Sequence, residues 1–178
     1  MSQSEPNATH QAKDFSEELR VERSGNGVVT LTLNRPHVKN ALTSEMWEPL
    51  RQIFHEVRET SSDRVLVITG AAGAFCAGAD LSGGSATGGH AMESMHSVSA
   101  AALALHTLTK PTLAKVGGDA VGAGMNLALG CDLVVAGESA RFSEIFARRG
   151  LSVDFGGTWL LPRLVGIHKA KELALLAD

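Results

Sequence analysis

The sequence predicts an α/β protein with one core domain. Three observations carry that reading. Two short stretches alternate apolar and polar residues with period two, a wholly apolar run stands at Val65-Leu66-Val67-Ile68, and segments of helical period separate the β-like runs. A chain of 178 residues is long enough to bury a core, and 44% apolar with 20% charged residues is ordinary for a globular domain. No apolar run reaches the length of a membrane span. A net charge of -3 gives no footprint for nucleic acid.

Residues 1–17 are polar, lack the apolar region of a secretion signal, and read as a flexible arm. The Asn7-Ala8-Thr9 triplet is therefore taken as chance rather than a glycosylation site. The core domain is expected over 18–178. Cys76 and Cys131 form neither a disulfide framework nor a metal spacing, and read as free buried thiols of a cytoplasmic protein.

Leu19-Val21-Arg23 and Val29 to Leu33 are expected to pair as a hairpin through Ser24-Gly25-Asn26-Gly27. A helix follows over 43–60, capped by Thr43, with Met46, Leu50, Ile53, Phe54 and Val57 on one face. Residues 64–69 form a buried parallel strand. The glycine-rich run 70–81 exposes its backbone, and Ser82 to His90 is a mobile loop by composition. A second helix spans 91–108 with Met95, Val98, Ala102 and Leu105 inward, and Lys110-Pro111 ends it. Residues 112–116 are a strand, 117–124 a turn into a short helix over 125–129, and 132–135 a further strand. Short helical pieces and glycine turns follow, ending in a helix over 169–177.

The two glycine-rich turns each follow a strand, and the second opens a helix, whose first N–H groups lack acceptors. If the turns met, they would offer two convergent donors, an oxyanion hole. Taken alone, such turns serve equally as phosphate sites or plain tight turns.

The strings themselves are more specific. Asn34-Arg35-Pro36, Lys39-Asn40-Ala41-Leu42, Ala74-Phe75-Cys76-Ala77-Gly78-Ala79-Asp80-Leu81, Gly122-Ala123-Gly124 and Gly130-Cys131-Asp132 occur in one order that resembles the crotonase (enoyl-CoA hydratase/isomerase) family over about 18–178. The resemblance implies a spiral of ββα units, here with the C-terminal helical part largely absent, since the chain stops inside the run 171–176 where relatives continue. It implies homo-oligomers, trimers or dimers of trimers, and an acyl-CoA substrate with no separate cofactor, since CoA is part of the substrate. The thioester oxygen would sit between the N–H groups of Ala79 and Ala123. Lys39, Ala41, Ala77, Gly78, Asp80, Leu81 and Gly122 match the stretches that line the CoA arm.

Hydratases of that family use two glutamates. Their positions fall on Asn126 and Phe146, and neither moves a proton. Glu144 lies two residues from the second, which on a helix points about 200° away. The segment from Gly150 to Arg163 resembles the ring-epoxyphenylacetyl-CoA isomerase branch, where an acidic residue at the Asp154 position shuttles the proton. The implied function is double-bond or ring-epoxide isomerisation of an acyl-CoA. A hydratase or other thioester enzyme using Glu144, or an inactive acyl-CoA binder, are the alternatives. Leu151, Phe155 and Trp159, if they line the pocket, would raise the Asp154 pKa by desolvation.

Plain readings stand beside these. Asp154 is placed to cap a helix, and Asp80 to hold a turn rather than touch CoA. Asp132 holds a turn or a strand end. His96 and His106 read as ordinary helix residues, His90 as a loop end near the pocket, and no metal spacing includes them. Met92 and Met95 read as core or pocket wall and Trp159 as packing. Arg141, Arg148, Arg149 and Arg163 read as solvated surface within reach of CoA phosphates.

Overall fold

The computed structural model describes residues 16–82 and 91–178, without the side chains of residues 91, 93 and 94. The arm over 1–17 therefore falls almost wholly outside the described residues, as does the loop up to His90.

Strands β1 (Leu19–Arg23) and β2 (Val28–Leu33) form the expected antiparallel hairpin, with Leu19 opposite Leu33 and Arg23 opposite Val29. Val29, Leu31 and Leu33 alternate inward and are fully buried, which is the period-two pattern realised. β3 (Val65–Gly70) lies parallel to β2, and β4 (Thr112–Val116) lies parallel to β3. The edge strand β6 (Leu133–Ala136) adds parallel to β4, giving the order β1-β2-β3-β4-β6. Parallel neighbours need a crossover, and helices supply two of them. α1 (Trp47–Glu59) joins β2 to β3, and α2 (Ala91–His106) lies between β3 and β4. The two helices pack on each other. Leu50, Phe54 and Val57 of α1 meet Val98, Ala101 and Leu105 of α2 over Leu31, Ile68 and Ala114 of the sheet. These side chains leave water almost completely, each contributing about 1.5–3 kcal/mol for a Val, Leu, Ile or Phe.

Beyond β4 the chain differs from its sequence reading. The expected turn 117–124 contains a short strand, β5 (Asp119–Val121), and the helix α3 (Ala123–Leu129) starts two residues early. β5 pairs in parallel with β7 (Arg141–Ser143), a strand that three residues are too few to announce. Its other edge is bridged to Cys76, so the two glycine-rich turns are tied by backbone hydrogen bonds. α4 (Gly157–Val165) and α5 (Ile167–Leu176) pack on each other, and Met125, Leu161 and Ala170 form a second, smaller apolar cluster.

Other expectations need correction. A 3-10 turn over Ser44–Met46 precedes α1, and Thr43 stands at its start with an unpaired hydroxyl rather than capping the α-helix. Met95 is 40% exposed, because the inward stripe of α2 runs through Val98, Ala101, Ala104 and Leu105 instead. Asp132, by contrast, holds a strand end as expected: it accepts from both the N–H and the hydroxyl of Thr112 at 2.8 Å, tying the start of β6 to the start of β4.

Candidate functional site

The site begins at the end of β2. Asn40 is buried in a left-handed conformation, and its amide donates to the carbonyls of Ala71 and Ala74 at 2.9 Å. That fixes the 39–42 segment beside the turn after β3. Leu42 N–H donates to Gly78 O and Asp80 N–H to Leu42 O. In this parallel bridge the partners flank Ala79, so the N–H of Ala79 points away from Leu42. Gly78 has φ 90°, and a Cβ there would lie 2.7 Å from Val121 O and 3.4 Å from Ala123 N. Only glycine permits this approach. It brings the amide plane before Ala79 against the first residue of α3. Ala123 opens that helix, so its N–H has no intrahelical acceptor. Among the described residues neither N–H has a backbone acceptor.

A cavity of about 500 Å³ opens over these two amides. Lys39, Ala41, Ala77, Gly78, Ala79, Asp80, Leu81, Gly122, Ala123 and Asp154, the residues singled out in the sequence, all border it. Its polar side chains are largely engaged. The Asp80 carboxylate accepts from the Ser82 hydroxyl and N–H and from Arg35 at 2.9 Å. The Ser82 bonds first, and then Arg35, hold its pKa down at about 2. Asp80 thus holds a turn while also facing the cavity. Lys39 bonds Asp119 at 2.8 Å, which holds the Asp119 carboxyl below the usual range. Burial pushes the Cys76 thiol up to about 12, which makes it a packing residue rather than a nucleophile.

A second cavity, about 590 Å³, lies on the other side of Asp154. Its walls are mostly apolar: Met95, Ala102, Leu103, Phe155, Trp159 and Leu160, with His106 and Ser99 adding polar edges. Trp159 is held there, edge-on to His106 with ring centroids 4.9 Å apart, and with the Arg163 guanidinium 4.1 Å from its own centroid. His106 and Arg163 are thus engaged around the cavity rather than merely solvated. Arg149 borders the first cavity. Leu151 borders the first cavity and Phe155 and Trp159 the second, so the three flank Asp154 from both sides.

Among the described residues Asp154 is the one common to both cavities. Its Oδ1 is buried without a partner, and burial raises its pKa to about 6. It does not cap α4, because Gly156 occupies the cap position. Instead its carbonyl accepts from Gly157 N–H at 2.9 Å and from the Asn126 amide at 3.0 Å. Phe155 follows in the left-handed region at φ 46°, which costs a side-chain-bearing residue about 1–2 kcal/mol. Its buried ring meets Trp47 at 5.7 Å.

Sequence reasoning undervalued Glu144. The helical geometry that would turn it away does not apply, because β7 ends at Ser143 and Glu144 has φ -87° and ψ 58°. It is fully buried, with Oε2 3.5 Å from the Asn126 amide nitrogen. Burial first, and then the Asp154 charge, raise its pKa to about 7. A carboxylate two residues past an apolar strand position was the available signal, and β7 was too short to be recognised. Phe146 is buried beneath Gly122 and borders the first cavity.

Among the described residues no group of three or more His, Cys, Asp or Glu is placed to hold a metal, and no helix is long and apolar enough to cross a membrane.

Comparison with known proteins matches this arrangement. Residues 23–178 fit the model of the enoyl-CoA hydratase/isomerase family. A Rhodobacter capsulatus protein named "probable enoyl-CoA hydratase" is 42% identical over 153 residues, 85% of this chain and 59% of that protein. The 1,2-epoxyphenylacetyl-CoA isomerase of Escherichia coli K12 is 42% identical over 159 residues, 85% of this chain and 60% of that protein. The crystal structure of an enoyl-CoA hydratase from Mycobacterium avium subsp. paratuberculosis K-10 superposes with a TM-score of 0.83 at 32% identity, covering 90% of this chain and 64% of that one. The chain spans about three fifths of the length of the curated relatives it matches. With its parallel sheet, its paired glycine turns and this match over most of its length, the chain belongs to the enoyl-CoA hydratase/isomerase family.

Proposed function

We propose that the protein isomerises an acyl-CoA, with Asp154 as the single proton carrier and the N–H groups of Ala79 and Ala123 as the oxyanion hole. The observation behind this reading is that, among the described residues, Asp154 alone borders both cavities. The thioester carbonyl accepts hydrogen bonds from the two amides, the CoA arm follows Lys39, Ala41, Ala77, Gly78, Asp80, Leu81 and Gly122, and the acyl group enters the apolar cavity. The Asp154 carboxylate takes a proton from carbon next to the carbonyl or conjugated to it. The electron pair of that C–H bond moves into the enolate, whose negative oxygen is held by the two N–H groups. Asp154, now a carboxylic acid, returns the proton to a different carbon, and the double bond has moved with no atom gained or lost. A pKa near 6 suits a base that must be ionised near neutrality yet give its proton back. For a ring epoxide the same base and oxyanion hole would act on the strained ring.

Hydration is the second reading, favoured by the hydratase names among the relatives and by a second carboxyl near Asp154. Adding water takes an acid and a base at the double bond. Asn126 and Phe146 offer neither, and Glu144 is fully buried and borders neither cavity. The family resemblance also supports a cytoplasmic homo-oligomer, a trimer or dimer of trimers, which light scattering on a sizing column would test.

Solvent deuterium exchange into a panel of CoA thioesters, with the chain and its Asp154→Asn variant, tests the reading. Exchange next to the carbonyl that is lost in the variant is expected. A 3-hydroxyacyl-CoA product would replace isomerisation with hydration. Tight binding with neither exchange nor product would leave an acyl-CoA binder and sink both.

A further inference from the structure

Among the described residues four buried side-chain oxygens lack a hydrogen-bond partner, and three of them are gathered beside α3: Asn126 Oδ1, Glu144 Oε1 and Asp154 Oδ1. Buried polar atoms are almost always paired, so three orphans in one group call for an explanation. The group is joined through one amide. Asn126 Nδ2 reaches Glu144 Oε2 at 3.5 Å and the Asp154 carbonyl at 3.0 Å. The carbonyl accepts only from a donor, which fixes the nitrogen of Asn126 on this side. Gly157 locks it there, because a Cβ at that position would fall 2.4–2.5 Å from Nδ2, Cγ and Oδ1. Glu144 and Asn126 are both 0% exposed.

The charge balance of this group is lopsided. None of the ion pairs among the described residues includes Glu144 or Asp154. His106 of α2 and Arg149 of the turn after Glu144 border the cavities that Asp154 faces, and Lys39, Asp80 and Asp119 lie across the first cavity, engaged with partners of their own. Among the described residues no ion pair neutralises either carboxylate, and like charges in a desolvated site do not both ionise.

We propose that Glu144 is a positioning residue for Asp154: it holds the Asn126 amide against the Asp154 main chain and keeps a proton, so that Asp154 is the carboxyl that ionises. Glu144 never touches substrate in this scheme. It acts through Asn126, which anchors the carbonyl of Asp154 ahead of the left-handed Phe155. The inference rests on Asp154 being the proton carrier, and it divides the labour between two acids of one buried group: one charged and facing substrate, one neutral and hidden.

The test is a carboxyl carbon-13 titration of the chain and of Glu144→Gln, read beside the pH profile of deuterium exchange. Gln accepts the Asn126 N–H but never carries charge. Glu144 is expected to titrate well above the ordinary glutamate range. A protonated Glu144 carries no charge to remove, so in Glu144→Gln the Asp154 titration and the acid limb of the exchange profile should stay within about 0.3 pH unit of the parent, with the plateau rate within about threefold, whereas Asp154→Asn should move the Glu144 titration down by about one pH unit. Glu144→Ala, which removes the acceptor for Asn126, should lower the plateau about tenfold at unchanged KM. Glu144 titrating in the ordinary range, or an Asp154 titration that falls by about a unit or more in Glu144→Gln, overturns the proposal. Should Glu144→Gln fail to fold, the titration of Glu144 in the parent chain decides alone. Exchange that persists in Asp154→Asn is a different failure: it removes Asp154 as the carrier, and the titrations then report only whether the pair is coupled.

Discussion

Asp80 and Asp154 border the same cavity and have opposite surroundings. Around Asp80 both oxygens have partners: the Ser82 N–H and hydroxyl on one, Arg35 on the other. Around Asp154 the carbonyl is doubly bonded while the carboxyl has a buried oxygen with no partner. The first carboxyl is held near a pKa of 2 and the second is raised to about 6. Partners turn a carboxylate into a brace. Their absence, under burial, leaves one whose proton affinity is near the working pH. A cavity lined by several acids is thus read by asking which of them has been left unpaired.

The largest effect that would test this contrast is loss of the base. Asp154→Asn should lower isomerase or exchange turnover by about 10²–10⁴-fold, the usual worth of a general base, while the melting temperature stays level or rises because a buried charge is gone. Steady-state rates and a thermal scan on one preparation check both halves. Next come the glycines that hold each region in shape. Gly78→Ala puts a methyl into Val121 O at a positive φ, and Gly157→Ala puts one into the Asn126 amide. Each should cost about 1–3 kcal/mol in a denaturant melt. Gly78→Ala should also weaken binding of CoA thioesters, and Gly157→Ala should slow turnover more than binding. If both act alike, the regions are not the separate units described above.

Asp80→Asn is a smaller perturbation. It weakens a pair whose side chains are only 15% and 11% exposed, and should cost about 1–3 kcal/mol without moving the acid limb of the rate profile. The two regions also differ in their response to pH. Asp80 has a depressed pKa, so its contribution is present above about pH 4 and lost as pH falls through about 2. Asp154 and Glu144 have raised values, so the native state holds more protons than the unfolded chain between about pH 4 and 7. Stability from those two groups therefore falls as pH rises across that window, while exchange rates rise with ionised Asp154. Melting curves from pH 4 to 8 for the parent and Asp154→Asn measure the opposed slopes. Least of all, Lys39→Ala breaks an exposed pair with Asp119 and should change stability by less than about 1 kcal/mol. A larger effect on CoA-thioester affinity than on melting would mark Lys39 as a ligand contact rather than a brace.

Much of this arrangement was legible in the sequence, and the reasons differ by residue. The hairpin, the parallel strand at Val65–Gly70 and both long helices follow from periodicity, which burial imposes on any chain. The two glycine turns were legible as positions where backbone must approach backbone, and Gly78 bears that out. Three things were hidden. β5 and β7 are three residues each and stabilised by pairing across more than twenty residues, which no local pattern records. Val98 and Leu105 lie inward as read, but Met95, one turn before Val98 and at the same phase, is 40% exposed because it borders the second cavity rather than the sheet. Glu144 was turned away by a helical geometry that the chain does not adopt there. That last error traces to the missed β7: the residue following a strand end points where the strand, not a helix, directs it.

The bridge between Cys76 and Ala120 has a consequence for how the protein is made. The polar cavity needs a turn from the first half of the chain, a strand that follows it by more than forty residues, and a second strand some twenty residues beyond. A chain emerging from the ribosome therefore presents β1 to β4 with their helices, ready to collapse, well before β7 exists to flank β5. Asp154 arrives later still, and Asn126 waits for its carbonyl. The parallel pairings of the scaffold already span sequence separations as long as those of the site, so the site closes last because its parts are made last, not because its loops cost more. A nascent chain halted ahead of residue 141 would carry a folded sheet and an unfinished cavity, a state that chaperones meet and substrates do not.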